Sequence, residues 1–559
     1  MTTERPTAAV SHSHGLGRLP ELRSATRYWP SGVRAAVCMG APVVVGCLAG
    51  DLTAGLIATL GSFTALYGSG RPYCNRAVLL AVIALSLSTA VGLGMWAAAI
   101  TWVGVLAVAA IASTATLLCN AFDVGPPGAY QFALVCAVAT GLHTQRHSPL
   151  LLALVALAGG AFAWLMHMTG ALFGPRRPEK SAVAAAALAI ADYIDALGSE
   201  RQNGARHHAA TAMHHAWTTL LGRQPRNIRV GKTMGRLQQL NGQLSLLFAE
   251  AITCANTNTA ADPQAAAVAR SLAGAVFARP GRAEVGAENL TPLHRPAAWT
   301  LLKRHLHPRS SSFVVAARVA VATVLAGTVG GLLDLQHAYW TMAAAVVVLH
   351  RDLSHRGTIH RGLQRFLGTW LGIGLAAAVS AAHPHGPSII ALVVAIMVLN
   401  FLIEVTVARN YTLGVVFITA AALLTSSGGR SNVDLGSLLL ARGLDTAVGC
   451  VVAVAVLLLM PGAVASWLPT TIADALDAVN TTISYLSPAT ITTPAARAAR
   501  RDLQRCALRL QQTFDNAING SPPQRRAAAQ AWPAMETTQE LIYRTIAESW
   551  RLELHVWRG

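Results

Sequence analysis

His337-Ala338-Tyr339-Trp340-Thr341-Met342-Ala343-Ala344-Ala345-Val346-Val347-Val348-Leu349-His350, a basic segment, and then Gly368-Thr369-Trp370-Leu371-Gly372 together decide the class of this chain. An apolar run ends, Arg351, Arg356, Arg361 and Arg365 follow in what reads as a loop, and a second apolar run opens on small residues. Arg361, Arg365, Gly368 and Gly372 are spaced 4, 3 and 4 apart. On a helix they share one face, basic at one end and glycine-smooth where it enters the apolar run.

Working outward, the 559 residues are 53% hydrophobic and only 12% charged, and the mean hydropathy is +0.45. A soluble globular chain carries about 25% charged residues, so the composition predicts a membrane protein. A formal net charge of +18 raises nucleic acid as a partner. The positions of the charges exclude it, because Arg and Lys fall in tails, in the central polar segment and in alternate short loops. The expected partner is membrane lipid, and no nucleic acid is expected. The 8 cysteines are scattered without a C-x-x-C pair, and no carboxylate or cysteine joins His207, His208, His214 and His215. Neither a metal site nor a cofactor is expected. With no Walker loop, nucleophile elbow or H-E-x-x-H, the chain does not read as an enzyme.

Apolar runs near 33–50, 52–68, 77–95, 97–119, 129–143 and 149–173 form a first set, with a helix break expected near Gly92-Leu93-Gly94-Met95-Trp96. A second set lies near 313–333, 338–350, 364–382, 388–407, 411–427 and 436–460. The fold class is therefore an all-α polytopic membrane protein. It has two six-helix transmembrane repeats, about 12 spans, with a cytoplasmic helical domain after each. The expected domains are an N-terminal tail (1–32), a first repeat (33–174), a cytoplasmic helical domain and linker (175–311), a second repeat (312–461) and a C-terminal helical domain (462–559). Basic residues at Arg34, Arg71, Arg76, Arg176 and Lys303 put both termini on the cytoplasmic side of a bacterial cell membrane. Arg34 precedes Asp51 much as Arg318 precedes Asp334, which suggests a repeat about an axis along the membrane normal. Coincidence among Gly- and Ala-rich helices is the alternative.

His337-Ala338-Tyr339-Trp340, Val348-Leu349, Arg361-x-x-x-Arg365-x-x-Gly368-Thr369-x-x-Gly372 and Arg442-x-x-Asp445-Thr446-x-x-Gly449 resemble the fusaric acid resistance protein-like membrane family. The resemblance is strong over 313–460 and weak over 33–174. That family includes aromatic carboxylic acid exporters and is distantly similar to plant aluminium-activated malate channels. The chain departs from the family where Met342, His350-Arg351-Asp352 and the region of Ala420 replace common prolines, and the first half lacks the Arg-Asp pair.

The resemblance implies a secondary transporter that exports small organic anions, aromatic or hydrophobic carboxylates, driven by protons or membrane potential. A passive organic-anion channel and a non-transporting membrane scaffold are the alternatives. The expected anion path comprises Arg34, Arg318, Arg361, Arg365, Arg442 and Asp445, with snorkelling and a self-satisfied Arg442–Asp445 pair as the plain readings. Tyr339, Trp340 and Tyr411 are candidate aromatic contacts, or belong to an interfacial belt. Glu404 and Asp445 are candidates for proton linkage. Gly327, Gly331, Gly368, Gly372 and Gly449 are expected to let helices approach closely. A homodimer of whole chains is one expected assembly, and pairing of the halves within one chain is the other.

Overall fold

The computed structural model describes residues 29–141, 148–222, 232–257, 259–278, 298–308, 310–333, 335, 338–350, 355–381, 388–407, 409–427, 435–460, 464–518 and 522–558. Among them every element is helical. The first apolar set is α1 (Trp29–Leu48), α2 (Leu52–Ser62), α3 (Tyr73–Ala97), α4 (Thr101–Ala121), α5 (Tyr130–Thr140) and α6 (Pro149–Phe173). Polar helices follow: α7 (Arg177–Asp195), α8 (Gln202–Trp217), α9 (Lys232–Thr257), α10 (Ala265–Ala275) and α11 (Ala298–His305). The second apolar set is α12 (Ser311–Leu332), α13 (Ala338–Leu349), α14 (His355–Ala381), α15 (Ile389–Thr406), α16 (Tyr411–Ser427) and α17 (Leu435–Leu459). The chain closes with α18 (Val464–Ile483), α19 (Pro494–Ile518) and α20 (Pro522–Arg558).

Six helices, α1, α3, α4, α6, α12 and α17, are long and apolar enough to cross a bilayer. The protein is a multi-pass membrane protein. The remaining apolar helices are shorter or, in α14, carry a basic first half. At 1.5 Å per residue, α5 and α13 extend only about 16–18 Å, far less than the ~30 Å hydrocarbon core. A short helix ends its backbone inside the apolar layer, so its terminal N–H and C=O groups must find protein partners. That requirement is met by burial: Tyr130–Ala137 of α5 and Trp340–Leu349 of α13 are buried all round.

Two compact units divide the chain, one of residues 1–56 and 363–446, the other of 57–362 and 447–559. In the first unit α1 packs along α15 and α15 along α16. Gly32 meets Phe401 while Gly40 meets Met397, which makes α1 and α15 antiparallel. Gly50, at φ +77°, ends α1, and Asp51 Oδ1 accepts from Ala54 N at 2.9 Å to cap α2. In the second unit α12 packs on α4, α13 on α5, and α3 on both α5 and α6.

Close backbone approach is the recurrent packing device. A Cβ added to Gly159 would lie 1.9 Å from Ala58 O, and one on Gly61 only 1.7 Å from Ala156 O. Ser62 Oγ donates to Gly159 O across this crossing at 3.2 Å. The expected break near Gly92–Trp96 does not occur there. α3 continues to Ala97 because Gly94 sits against Cys136 O of α5, and the chain turns at 98–100 instead. The glycine makes a contact, not a kink.

The polar helices build two cores that touch. One core joins α7 to α10 through Val183, Ile190, Met213, Leu237 and Leu244. A second joins α18 to α20 through Leu503, Leu510, Phe514 and Ile542, and it includes Trp217 from the end of α8. Phe248 on α9 and Tyr543 on α20 meet edge to face at 5.4 Å, so the two polar segments form one body. Glu553 accepts from Arg497 Nε at 3.0 Å and from Arg500 Nη2, fixing α20 to α19. The expected linker near 279–296 and the tail at 1–28 lie outside the described residues.

The contrast among glycines gives a direct check. Gly159→Ala forces backbone apart and is expected to destabilise by about 1–3 kcal/mol. Gly331→Ala meets open space and gains helix propensity, so it should be neutral or stabilising by up to ~1 kcal/mol. Thermal unfolding of the detergent-solubilised variants reads both; equal effects would contradict the packing described.

Candidate functional site

Three charged residues of the first unit are buried. Arg365 is 1% exposed, Arg442 2% and Asp445 0%. Arg365 and Thr369 lie one turn apart on α14; Arg442, Asp445 and Thr446 occupy one face of α17. Thr369, Thr419 and Thr446 are buried as well, and their hydroxyls have no hydrogen-bond partner among the described residues. α14 is held close to α16 because Gly368 abuts Thr412 O and Gly372 abuts Val416 O, at 2.8 and 2.6 Å from a would-be Cβ. Gly443 of α17 lies under the Trp370 ring in the same way. Glycines on α14 and α17 thus draw together the helices that carry the charges.

The sequence reading put Arg361 and Arg365 in a loop. They lie in α14, which begins at His355, because the Arg361-x-x-x-Arg365-x-x-Gly368 spacing already belongs to the helix. Arg351 falls outside the described residues. Arg34 and Glu404, also in the first unit, are electrostatic neighbours where α1 meets α15. Tyr411 opens α16 next to Asn410, whose Oδ1 caps the helix by accepting from Thr412 N at 3.0 Å.

In the second unit, two of the expected anion-path arginines hold helix ends. Arg318 Nε donates to Met460 O at 2.9 Å, just past the end of α17, and the residue is 7% exposed. Arg361 Nε donates to Val347 O in the last turn of α13 at 3.3 Å. Each guanidinium supplies a donor to a carbonyl that the helix itself cannot satisfy and complements the negative end of the dipole.

Around the same end of α13, where it meets the start of α5, lie groups that the sequence reading did not assemble. His350 closes α13, with Nδ1 3.2 Å from Val346 O and 3.1 Å from Val347 O. Two acceptors facing Nδ1 put the proton there in the neutral ring and leave Nε2 as the acceptor. The Tyr130 ring is 6.4 Å away, Gly128 lies against the imidazole, and Tyr67 Oη donates to Gly128 O at 2.6 Å. Arg71 donates to Asp123 O, beyond the end of α4. Gln131 is buried in α5 with no partner for Oε1 among the described residues. The sequence signal was the placement of His350 immediately after Val348-Leu349.

At the opposite end of this pair, the Tyr339 ring fills the space over Gly141, 2.5 Å from a would-be Cβ, and stacks on Trp340 at 5.2 Å. Trp340 is only 8% exposed, so it faces protein and not a lipid interface. Of the remaining expected packing glycines, Gly327 abuts Val105 of α4 and Gly449 abuts Thr341 O of α13, whereas Gly331 faces open space.

Residues 323–456, which contain both the α13–α14 stretch and the Arg442–Asp445 face, match the fusaric acid resistance protein-like family. Arg34 and Arg318 fall outside that segment. The chain is 25% identical over 547 residues to a protein of Bacillus subtilis (strain 168) called "Uncharacterized membrane protein YvaC", covering 92% of this chain and 84% of that one. It is 27% identical over 157 residues to "Inner membrane protein YccS" of Escherichia coli (strain K12), covering 28% of this chain and 20% of that protein. No solved structure matches.

The geometry separates two kinds of arginine. Arg318→Ala removes the donor to Met460 O and is expected to cost about 1–3 kcal/mol of stability. Arg318→Lys should restore part of it, because an ammonium reaches the same carbonyl with poorer geometry. Thermal unfolding of the purified protein checks this, and an Ala variant as stable as the parent would remove the capping role.

Proposed function

We propose that the protein is a secondary transporter that exports small organic anions, aromatic or hydrophobic carboxylates, across a bacterial cell membrane. One observation carries the reading: Arg365, Arg442 and Asp445 are each buried on apolar helices, as are Thr369, Thr419 and Thr446 of the same unit. Each charge inside a bilayer costs about 2.5–3.5 kcal/mol on insertion scales, so packing alone gives no reason for the three of them. Guanidiniums are the side chains best suited to an anionic cargo, and the threonine hydroxyls add neutral donors. Asp445 then holds Arg442 in place or carries a coupled proton, and Glu404 beside Arg34 is the second candidate for proton linkage.

The short α5–α13 pair supports the same reading. Helices that end inside the apolar layer are tolerated where they border protein or a watery path, and such interrupted segments accompany substrate routes in transporters. In the second unit Tyr339 and Trp340 are the proposed contacts for an aromatic body, and Arg361 with His350 the gathering groups at the other end of the pair; Tyr411 is a separate candidate in the first unit. Expelling an anion from a cell that is negative inside is downhill by about 2.3 kcal/mol per charge per 100 mV, so potential alone suffices as a drive.

The reading includes twelve spans in two six-helix repeats with both termini cytoplasmic. Reciprocal contacts favour it: α1 packs on α15 as α12 packs on α4, and α15 on α16 as α4 on α5. The printed name of the Escherichia coli relative, an inner membrane protein, favours the cell membrane.

The test is efflux from cells loaded with a panel of aromatic acids, comparing the parent, Arg442→Ala and empty cells. The parent should lower retention of at least one acid, and Arg442→Ala should return the export rate to within roughly a tenth of the difference from empty cells. No difference from empty cells across the panel would remove the exporter reading. Large unitary currents in planar bilayers would replace it with a channel.

A further inference from the structure

The polar helical body contains a cavity that transport does not use. It measures about 90 Å³ and is lined by Asn203, Arg206 and His207 of α8, Gln511 of α19, and Trp532, Met535, Gln539 and Tyr543 of α20. A smaller cavity of about 30 Å³ shares Tyr543 as a wall and is mostly apolar, with Met213, Phe248, Leu508 and Ile546 in its lining.

The larger lining is chemically selective. Arg206 contributes the permanent charge and His207 a titratable ring. Around them runs a chain of amides with fixed direction. Arg206 Nη2 lies 3.5 Å from Gln539 Oε1, Gln539 Nε2 donates to Gln511 Oε1, and Gln511 Nε2 donates to Asp515 Oδ1 at 3.0 Å. Both glutamine oxygens face donors, so neither amide can turn without losing a hydrogen bond. Asp515, the carboxylate at the end of this chain, is engaged by Gln511 and is not part of the lining. Tyr543 stays a neutral hydroxyl, because burial pushes it up to about 12 against the opposing pull of Arg206.

The 3.5 Å reach from Arg206 to Gln539 is at the limit of a hydrogen bond and is the guanidinium's one hydrogen bond among the described residues, so its other donors remain for a ligand. Trp532 is held by Phe514 at 5.2 Å between ring centroids and offers a rigid flat wall. A water-sized group needs about 10–15 Å³ by this measure, so the cavity has room for roughly six to nine such groups. That excludes a nucleotide or an acyl chain, and it fits one carboxylate on one small ring.

We propose that this cavity, between α8, α19 and α20, is a binding site for a small aromatic carboxylate, held by Arg206 and stacked between Trp532 and Tyr543. The site is built from the segment after the first apolar set and the segment after the second. It stands independently of the transport reading.

Equilibrium dialysis of the full-length protein in detergent, with radiolabelled benzoate as probe, tests the assignment. Saturable binding is expected, at least tenfold weaker in Arg206→Gln and unchanged in Arg442→Ala. Asn203 is exposed at the rim, so Asn203→Trp should block entry without disturbing the core, with the same tenfold loss. Unlabelled benzyl alcohol should compete at least tenfold less well than unlabelled benzoate. Absence of saturable binding in the parent would overturn the proposal. So would binding that survives both Arg206→Gln and Asn203→Trp, or loss confined to Arg442→Ala, which would place the site in the membrane region. Equal competition by the alcohol would show that Arg206 is not the anchor.

Discussion

A helix that stops inside a membrane leaves carbonyls with no partner in its own turn, and water is not there to take them. The structure answers this with guanidinium groups. Arg318 reaches Met460 O, Arg361 reaches Val347 O, and Arg71 reaches Asp123 O, each at or just beyond the C-terminal end of an apolar helix. Of these, Arg361 serves the short helix α13, which is far shorter than the hydrocarbon layer and still fully buried, whereas Arg318 and Arg71 cap the full-length helices α17 and α4. Short, buried helices in turn give the protein an interior lined by His350, Tyr130 and Gln131 in place of lipid-facing side chains.

Close approach of backbones is the second requirement, and glycine meets it at particular crossings. Gly159 and Gly61 bring α6 and α2 together, Gly449 brings α17 to α13, and Gly368 and Gly372 bring α14 to α16. The α14 and α17 contacts bear on the proposed anion path because the same helices carry Arg365, Arg442 and Asp445. A larger residue at Gly372 would displace the helix that positions Arg365. Packing and charge placement are therefore one constraint at this point in the chain.

Much of this was legible in the sequence. The apolar runs coincide with helices almost one for one, because hydrophobic length and the intervening Gly, Pro and Asn signals mark them locally. The Arg442-x-x-Asp445 spacing marked a charged face before any coordinates did. What failed was what depends on partners distant in sequence. Gly94 reads as a breaker until Cys136 O is known to lie against it. Gly331 continues the Gly327 spacing, yet a Cβ there would meet nothing within 4 Å among the described residues. Nothing local to Trp217 and Phe248 marks Leu468 and Tyr543 as their neighbours. Arg361 and Arg318 look like free cations beside a pore, and only the fold shows the carbonyls they reach.

The central claim is that the buried charges of α14 and α17 contact the transported anion and do more than lock a helix. The double variant Arg442→Asp with Asp445→Arg tests it most directly, because it keeps one charge of each sign on the same face while moving the guanidinium by almost one turn. The account predicts that the double variant regains the thermal stability lost in Arg442→Ala while aromatic acid efflux stays at the level of empty cells. Recovery of efflux together with stability would contradict it and reduce the pair to a structural lock.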